Sequence, residues 1–518
     1  MNNETKTIKS LIMKKTNIWR GVVAIAICLA ATTTGAQAQL GNTLKKATNT
    51  VTNEAKKEEL KNSSTTQAAA AKPAGNTSTA NANSGAVYYV CLTNGAGSRS
   101  ADGSKEKPYK DLQAAVDAAA SGSKICISEG NYLGKMEQGY IEIKDKYLTI
   151  EGGWNVGFTQ RDVVKYRTMI QPGEAQLGTS GDHSMLNLDY KWNAPAVSLH
   201  GVMIIDGIFF DAGLINGYCI PLPNDEKSGT PPGCETGRIR EKGATLPVPT
   251  VGAGSDADRR GIHGYFQGKL IIRNCVFANI YNFGIQLENH GGAWEIYNNL
   301  FVSCRMASCE VRGHGTITED KTSLNFYNNT VLFTWTRTKL MEDMGYGLRY
   351  MTRMNYDVHD NIFGCNYYGA LDRTRFDSDL KRDKIRETNA FDNLFFANTM
   401  GDICLPSGGG KWNFQFAKNF EEVEQLTKYE GNREVNASEA TALGNVLSTP
   451  YLKGFLSLTK SEKSQFDENS AMNTYRAAHG MNKQGTEIVR VSMYGNRYPI
   501  AEIDKIWGAI AGKGAQRP

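Results

Sequence analysis

One short pattern recurs along the middle of the chain and limits what it can fold into. An apolar residue is followed two positions later by Asn or Asp, and five positions later by Phe or Val. It reads WEIYNNLFVS from Trp294, LNFYNNTVLF from Leu324 and YDVHDNIFGC from Tyr356. Such a repeat is one small structural unit built several times and stacked on itself. The anchors are Ile204, Asp206 and Phe209; Ile272, Asn274 and Phe277; Ile296, Asn298 and Phe301; Phe326, Asn328 and Val331; Val358, Asp360 and Phe363; and a weaker sixth set, Ala390, Asp392 and Phe395. From 272 to 390 they step by 24, 30, 32 and 32 residues. The larger step from 204 to 272 leaves room for an insertion, roughly Asn216 to Asp258.

Within each unit apolar residues alternate at period two, the pattern of strands, and no helical segment separates the units. That excludes a helical solenoid, and the leucine content is too sparse for leucine-rich repeats. What remains is all-β: a parallel β-helix in which each repeat is one coil. The first apolar position and the Phe or Val then point into the stack. The Asn or Asp suits a left-handed turn, and its side chain is placed to bond the next coil. An open end would be an exposed edge. A helix with Leu112, Ala115, Val116 and Ala119 on one face suits the N-terminal cap. At the other end an amphipathic helix after Pro499, with Ile500, Ile503, Ile506, Trp507 and Ile510, is expected to cover the last coil together with the irregular region from about Asp402.

Ahead of the repeats, residues 1–38 read as a secretory signal: Lys14, Lys15 and Arg20, then the apolar run Val22 to Ala31, then Ala36 to Ala38 before Gln39. That run is short for a bilayer span, which takes about 20 residues. Residues 39–86 are polar and low in complexity and read as a linker, leaving 87–401 for the β-helix and 402–518 for a C-terminal cap. A secreted, periplasmic or cell-surface location is expected. The formal charge of +5 is carried by the N-terminal 86 residues; the remainder is slightly acidic, so a nucleic-acid partner is not expected. Nine cysteines follow the signal. Cys219 and Cys234 close a short Pro/Gly-rich loop and are the best candidate pair, while Cys275, Cys304 and Cys365 read as small core residues.

The stretch DGSKEKPYKDLQAAVDAAASGSKICISEGNYLG resembles the opening of secreted right-handed parallel β-helix proteins of the pectin lyase-like superfamily. Pro108, Tyr109, Gln113, Ala114, Val116, Asp117, Gly122, Ile125, Gly130 and Tyr132 carry the match. The resemblance implies that fold over about residues 87–400. It leaves function open, because that superfamily holds lyases, hydrolases, esterases, epimerases and non-enzymatic surface proteins. It also implies that sugars, where bound, lie along one outer face beside loops of uneven length.

The strands after each turn supply that face: GIQLENH from Gly284, SCEVRGH from Ser308, GLRYMTR from Gly347 and GALDRTR from Gly369. Period two turns Gln286, Glu288 and His290 outward, with Glu310, Arg312 and His314, and with Arg349 and Arg353. Glu288, Arg312 and Asp372 or Arg373 are then expected in one charged patch, coils being about 4.8 Å apart. A lyase for an acidic polysaccharide needs such a set: Arg to pair the uronate carboxylate, His290 or His314 as base, and Tyr346, Tyr350 or the second His as acid. Trp335 lies in the longest turn insertion and reads either as a sugar-stacking ring or as core packing. His263 extends the histidine row by one coil. The competing reading is a solvated charge ladder on a non-catalytic surface or matrix protein that binds glycans or protein partners. Asp256 and Asp258 offer oxygen ligands for calcium, but two carboxylates are too few to define a site, and no metal or cofactor is assigned.

Overall fold

In a computed structural model the structure describes residues 85–133, 140–171, 183–189, 201–212, 259–280, 282–313, 322–335, 345–350, 354–372, 387–398, 401–406, 412–415, 428–456 and 497–518. Three long sheets run side by side. The first has ten strands, from Val87–Val90 to Lys428–Glu430. The second has nine, from Ile141–Lys144 to Trp412–Gln415, and the third nine, from Gly130–Tyr132 to Arg433–Glu434. Each coil visits the first, third and second sheet in turn, as in Ala293–Tyr297, Leu300–Val302 and Ala307–Gly313. The strand pairs are parallel, except that Ile403–Pro406 takes Trp412–Gln415 antiparallel. This is a right-handed parallel β-helix.

The repeat explains the coil. Ile272, Ile296, Phe326, Val358 and Ala390 stand in one register and are fully buried. So do Phe277, Phe301, Val331, Phe363 and Phe395 on the third sheet. Phe210, Phe277 and Phe301 stack ring on ring at 5.0 and 4.8 Å. Burying each such side chain contributes about 1.5–3 kcal/mol. The first coil is one residue out of the sequence register. Ile205, Gly207 and Phe210 occupy the repeat positions, not Ile204, Asp206 and Phe209. Asp206 fits the pattern by type but belongs to the outward column, where Arg161 and Arg273 hold it at 2.8 Å each.

The turn between first and third sheets is left-handed at Asn274, Asn298, Asn328, Asp360 and Asp392, with φ between 50 and 55°. The main ladder across coils is made by the next residue. Asn299, Asn329, Asn361, Asn393 and Asn432 pass a side-chain amide from coil to coil, Nδ2 to Oδ1, at 2.9–3.2 Å. Each Nδ2 also donates to a carbonyl of the preceding coil, such as Asn361 to Phe326 O at 2.9 Å. Cys275 stands at the head of this column, its N–H donating to Asn299 Oδ1.

The N-terminal end is closed as expected by the helix Leu112–Ala118, capped by Asp111. Its Gln113 side chain imitates a strand: Nε2 donates to Glu142 O at 2.9 Å and Oε1 accepts from Glu142 N at 2.8 Å. The edge strand Ile141–Lys144 thereby gains a partner.

The C-terminal region differs from expectation. The last strands of the first and third sheets carry exposed Lys428, Glu430 and Arg433, charges that blunt an edge. The helix Ala437–Val446 stays beside the last strand, Glu439 pairing with Arg433 at 2.7 Å, while the helix Thr449–Leu456 and the segment 497–518 run back along the outside of the third sheet. Tyr451, Phe455 and Tyr498 pack around Phe333 at 5.1, 5.2 and 5.7 Å, and Tyr451 OH donates to Ser303 at 2.6 Å. Third-sheet strands such as Leu300–Val302, Thr330–Leu332 and Leu394–Phe396 are in consequence buried on both faces. The expected long helix after Pro499 is one short helix, Ile500–Ile503, followed by a 3₁₀ turn, Asp504–Ile506. Its apolar residues Ile503, Ile506, Trp507 and Ile510 are buried nonetheless, because the docking surface, not helical propensity, decides their conformation.

The seven described cysteines, Cys91, Cys126, Cys275, Cys304, Cys309, Cys365 and Cys404, are buried. Cys275, Cys304 and Cys365 are core residues as expected; Cys219 and Cys234 lie outside the described residues. Among the described residues no helix is long and apolar enough to cross a membrane.

Candidate functional site

Of the three outer faces, the third sheet's is covered by the chain itself. The first sheet's carries a ladder of Tyr297, Tyr327, His359 and Phe391 stacked at 4.8–5.2 Å. These rings lie face to face between Arg273 and Lys428, so they turn edges to solvent, not faces. The second sheet is different. In chain order the stretches 172–182, 213–258 and 336–344 precede its strands, and 190–200, 314–321 and 373–386 follow them; all lie outside the described residues.

Ile285, Leu287, Cys309, Val311 and Leu348 point inward on this sheet, as the alternation requires. Outward, the strand register forms two rows. The inner row runs His263, Gln286, Glu310, Arg349, Asp372. Gln286 Nε2 donates to Glu310 Oε1 at 3.0 Å. Arg349 lies between two carboxylates, Nη1 at 3.5 Å from Glu310 and Nε at 3.0 Å from Asp372. Glu310 is 3% and Asp372 1% exposed, so this triad is nearly closed off from water. Burial pulls the Arg349 guanidinium down, but Asp372 and Glu310 outweigh it and hold its pKa above the ordinary value.

The outer row runs Tyr265, Glu288, Arg312. Arg312 Nη2 is 3.3 Å from Glu288 and its side chain is 51% exposed. His290 follows the strand end, is buried, stacks on Tyr265 at 5.1 Å and lies 3.9 Å from Glu288. Tyr265 OH donates to Asp189 at 2.9 Å. The single patch expected of Glu288, Arg312 and Asp372 is therefore two rows, with Glu310 and Arg349 linking Asp372 to Gln286 and with Glu288 and Arg312 beside them.

Sequence reasoning missed part of this face. Arg260 is buried over the Phe283 ring at 6.0 Å, with Glu310 and buried Arg305 near enough to act on its charge. Burial pushes Arg260 down to about 10, with Glu310 pulling the other way. His263 is pushed down to about 4, by burial first and then by Arg260 and Arg312, and is a neutral imidazole at pH 7. Tyr346, buried beside Asp372 and Cys404, is raised well above the usual phenol by burial. Arg260 follows an interrupted segment and Arg305 lies in a turn, so neither shows in the period-two pattern that exposes Glu310 and Arg349.

Trp335 does not reach this face. It is fully buried within the core, the packing alternative for that residue, and offers no ring face to a sugar. Tyr350 lies on the second-sheet strand Tyr346–Tyr350, paired with Val311. His314, Arg353, Arg373, Asp256 and Asp258 lie outside the described residues. Among the described residues no group of three or more His, Cys, Asp or Glu is placed to hold a metal ion.

No family model matches the chain, and no curated protein does. Among solved structures, two crystal structures of GH136 lacto-N-biosidase from Eubacterium ramulus are similar. The selenomethionine derivative matches at TM-score 0.32 and 8% identity, over 67% of each chain. The native protein matches at TM-score 0.29 and 10% identity, over 61% of this chain and 57% of that one. These superpositions are weak, and the fold stated above rests on the strand pairing itself.

Proposed function

We propose that this protein is carbohydrate-active and binds an acidic polysaccharide along the outer face of the second sheet. One observation carries the reading. Arg260, Arg305, Arg312 and Arg349 gather with Glu288, Glu310 and Asp372 on the outer side of the second sheet, whereas the described C-terminal residues 497–518 pack against the third. Guanidinium groups pair carboxylates with two parallel hydrogen bonds, which suits a uronate chain. Arg312 is the exposed member and the first contact for a polymer lying across the coils.

If the site also cleaves, β-elimination suits its residues better than hydrolysis. Hydrolysis needs a proton-bearing carboxylic acid beside the leaving oxygen. Here Glu310 accepts a hydrogen bond from Arg349, and Asp372 is ion-paired with the same guanidinium. Elimination asks for a paired substrate carboxylate and a neutral base, and the histidines of this face are the candidates. The full-length protein, titrated against soluble uronate polymers and neutral polysaccharides of matched length, tests both steps. Retention of the acidic polymers and its loss in Arg312→Ala support binding. Growth of the ultraviolet absorbance of an unsaturated uronate adds cleavage. No binding to any acidic polymer overturns the reading in favour of a protein-binding surface.

A further inference from the structure

The C-terminal segment makes an unusual set of contacts. Gly514 N donates to Asp360 O at 2.8 Å, Ala515 N to Thr330 Oγ1 at 2.9 Å, and Gln516 N to Asn298 Oδ1 at 2.7 Å. Three consecutive N–H groups thus bond three successive coils. The segment lies along the helix axis and crosses coils, whereas the strands it touches run around them. Lys513 continues the line outward, bonding the Asp360 carboxylate and Asp392 O.

The same segment reaches the earlier coils. Tyr498 exchanges two bonds with Asn279, N to Oδ1 at 2.7 Å and Nδ2 to O at 3.1 Å. Arg497 pairs with buried Asp211 at 2.8 Å, Asp504 with Arg167, and Arg517 with Asp162 at 3.6 Å. The partners run from Asp162 to Asp392, through every coil of the repeat. Gly514 has φ +64°, and a Cβ there would meet Thr330 Oγ1 at 2.5 Å and Ile362 Cδ1 at 2.6 Å. The fit is therefore close at the point where the segment crosses the stack.

We propose that residues 497–518 form a clasp that fixes the stacking register of the coils, docks after the coils have formed, and lifts as a unit before any coil unwinds. The order follows from the contacts. Coil-to-coil bonds close over about one repeat of sequence, as between Asn329 and Asn361. The hydrogen bonds of the clasp close over 121 to 337 residues, and longer closures form later. Its contacts are spread one or two per coil, so each coil alone holds it weakly. Cooperative local opening of such a contiguous segment is the usual first opening of a folded chain.

Hydrogen exchange of the full-length protein tests this, comparing the native chain with Gly514→Ala. The amides of residues 498, 514, 515 and 516 are expected to exchange at one common rate and to speed up together, by about tenfold, in the variant. The ladder amides of Asn329, Asn361 and Asn393 should keep their protection. An apolar dye should bind the variant more, as the outer face of the third sheet is uncovered. Lys513→Met, which adds no clash, should give the same pattern at smaller size and serves if Gly514→Ala does not accumulate folded. Unchanged clasp amides in both variants, or ladder amides that speed up in step with the clasp, overturn the proposal.

Discussion

At the scale of single residues the asparagines decide most. The sequence shows which position takes the left-handed turn, and the structure agrees at Asn274, Asn298, Asn328, Asp360 and Asp392. It does not show that the neighbour makes the main ladder, because two adjacent polar residues in a turn look alike until the backbone aims them. Asn361 donates to Phe326 O and Asn393 Oδ1 and accepts two bonds from Asn329, all in a dry interior. Asn361→Ala leaves several of these groups unmet, and we expect a loss of about 3 kcal/mol in urea unfolding. A loss no larger than that of a surface substitution would remove the ladder from the account of stability. Asp360 adds a pH dependence. Desolvation raises its carboxyl, but hydrogen bonds from Lys513 and His359 outweigh it and hold the folded pKa below the ordinary carboxylate value. A depressed pKa means that its contribution is present above the unfolded value and is lost as pH falls through the folded one. Lys513→Met should therefore flatten the acid limb of the stability curve below about pH 4, relative to the native chain. An acid limb of identical slope in both proteins would show that Lys513 does not tune Asp360.

At the scale of elements the alternation was legible and the exceptions were physical. The inward columns of first and second sheet follow from period two, and the cap helix follows from its apolar face. The coil at Ile205 was misread by one residue because Asp206 imitates the turn residue, while the real turn is made by Gly207, φ +71°. The C-terminal helix was misread because its apolar residues satisfy a surface contributed by distant coils, which local pattern cannot show. Two aromatic stacks of similar spacing should differ in worth. Phe277, inside, is fully buried between Phe210 and Phe301. Tyr327, outside, is half-buried between Tyr297 and His359. We expect Phe277→Ala to lower stability by about 3–5 kcal/mol through cavity formation. Tyr327→Ala should lower it by only about 1 kcal/mol, the size of a ring pair on a wet face. Equal losses in denaturant unfolding would show that the outer ladder, and not the interior, sets the stacking energy.

At the scale of the whole molecule, the third sheet's outer face is covered by the chain, the first carries an aromatic ladder, and the second carries the rows of charge. The sequence placed Glu288, Glu310, Arg312 and Arg349 outward, but it could not say that one row would be dry and the other wet. That difference separates fold from function by experiment. Arg349 holds Glu310 and Asp372 where water scarcely reaches. Arg349→Ala strands two buried carboxylates, and we expect a loss of about 3–5 kcal/mol, with any loss of glycan binding following from the loosened face. Arg312 pairs only with Glu288 among the described residues, and half of its side chain meets solvent. Arg312→Ala should change stability by less than about 1 kcal/mol. If this face binds an acidic polymer, the same variant should weaken that binding and lessen its dependence on salt, since one paired cation is gone. Calorimetry for stability and polymer titration at two ionic strengths read the two effects apart. Unchanged binding in Arg312→Ala would move the contact away from the outer row. A stable Arg349→Ala would mean that the inner row is more open to water than its burial shows.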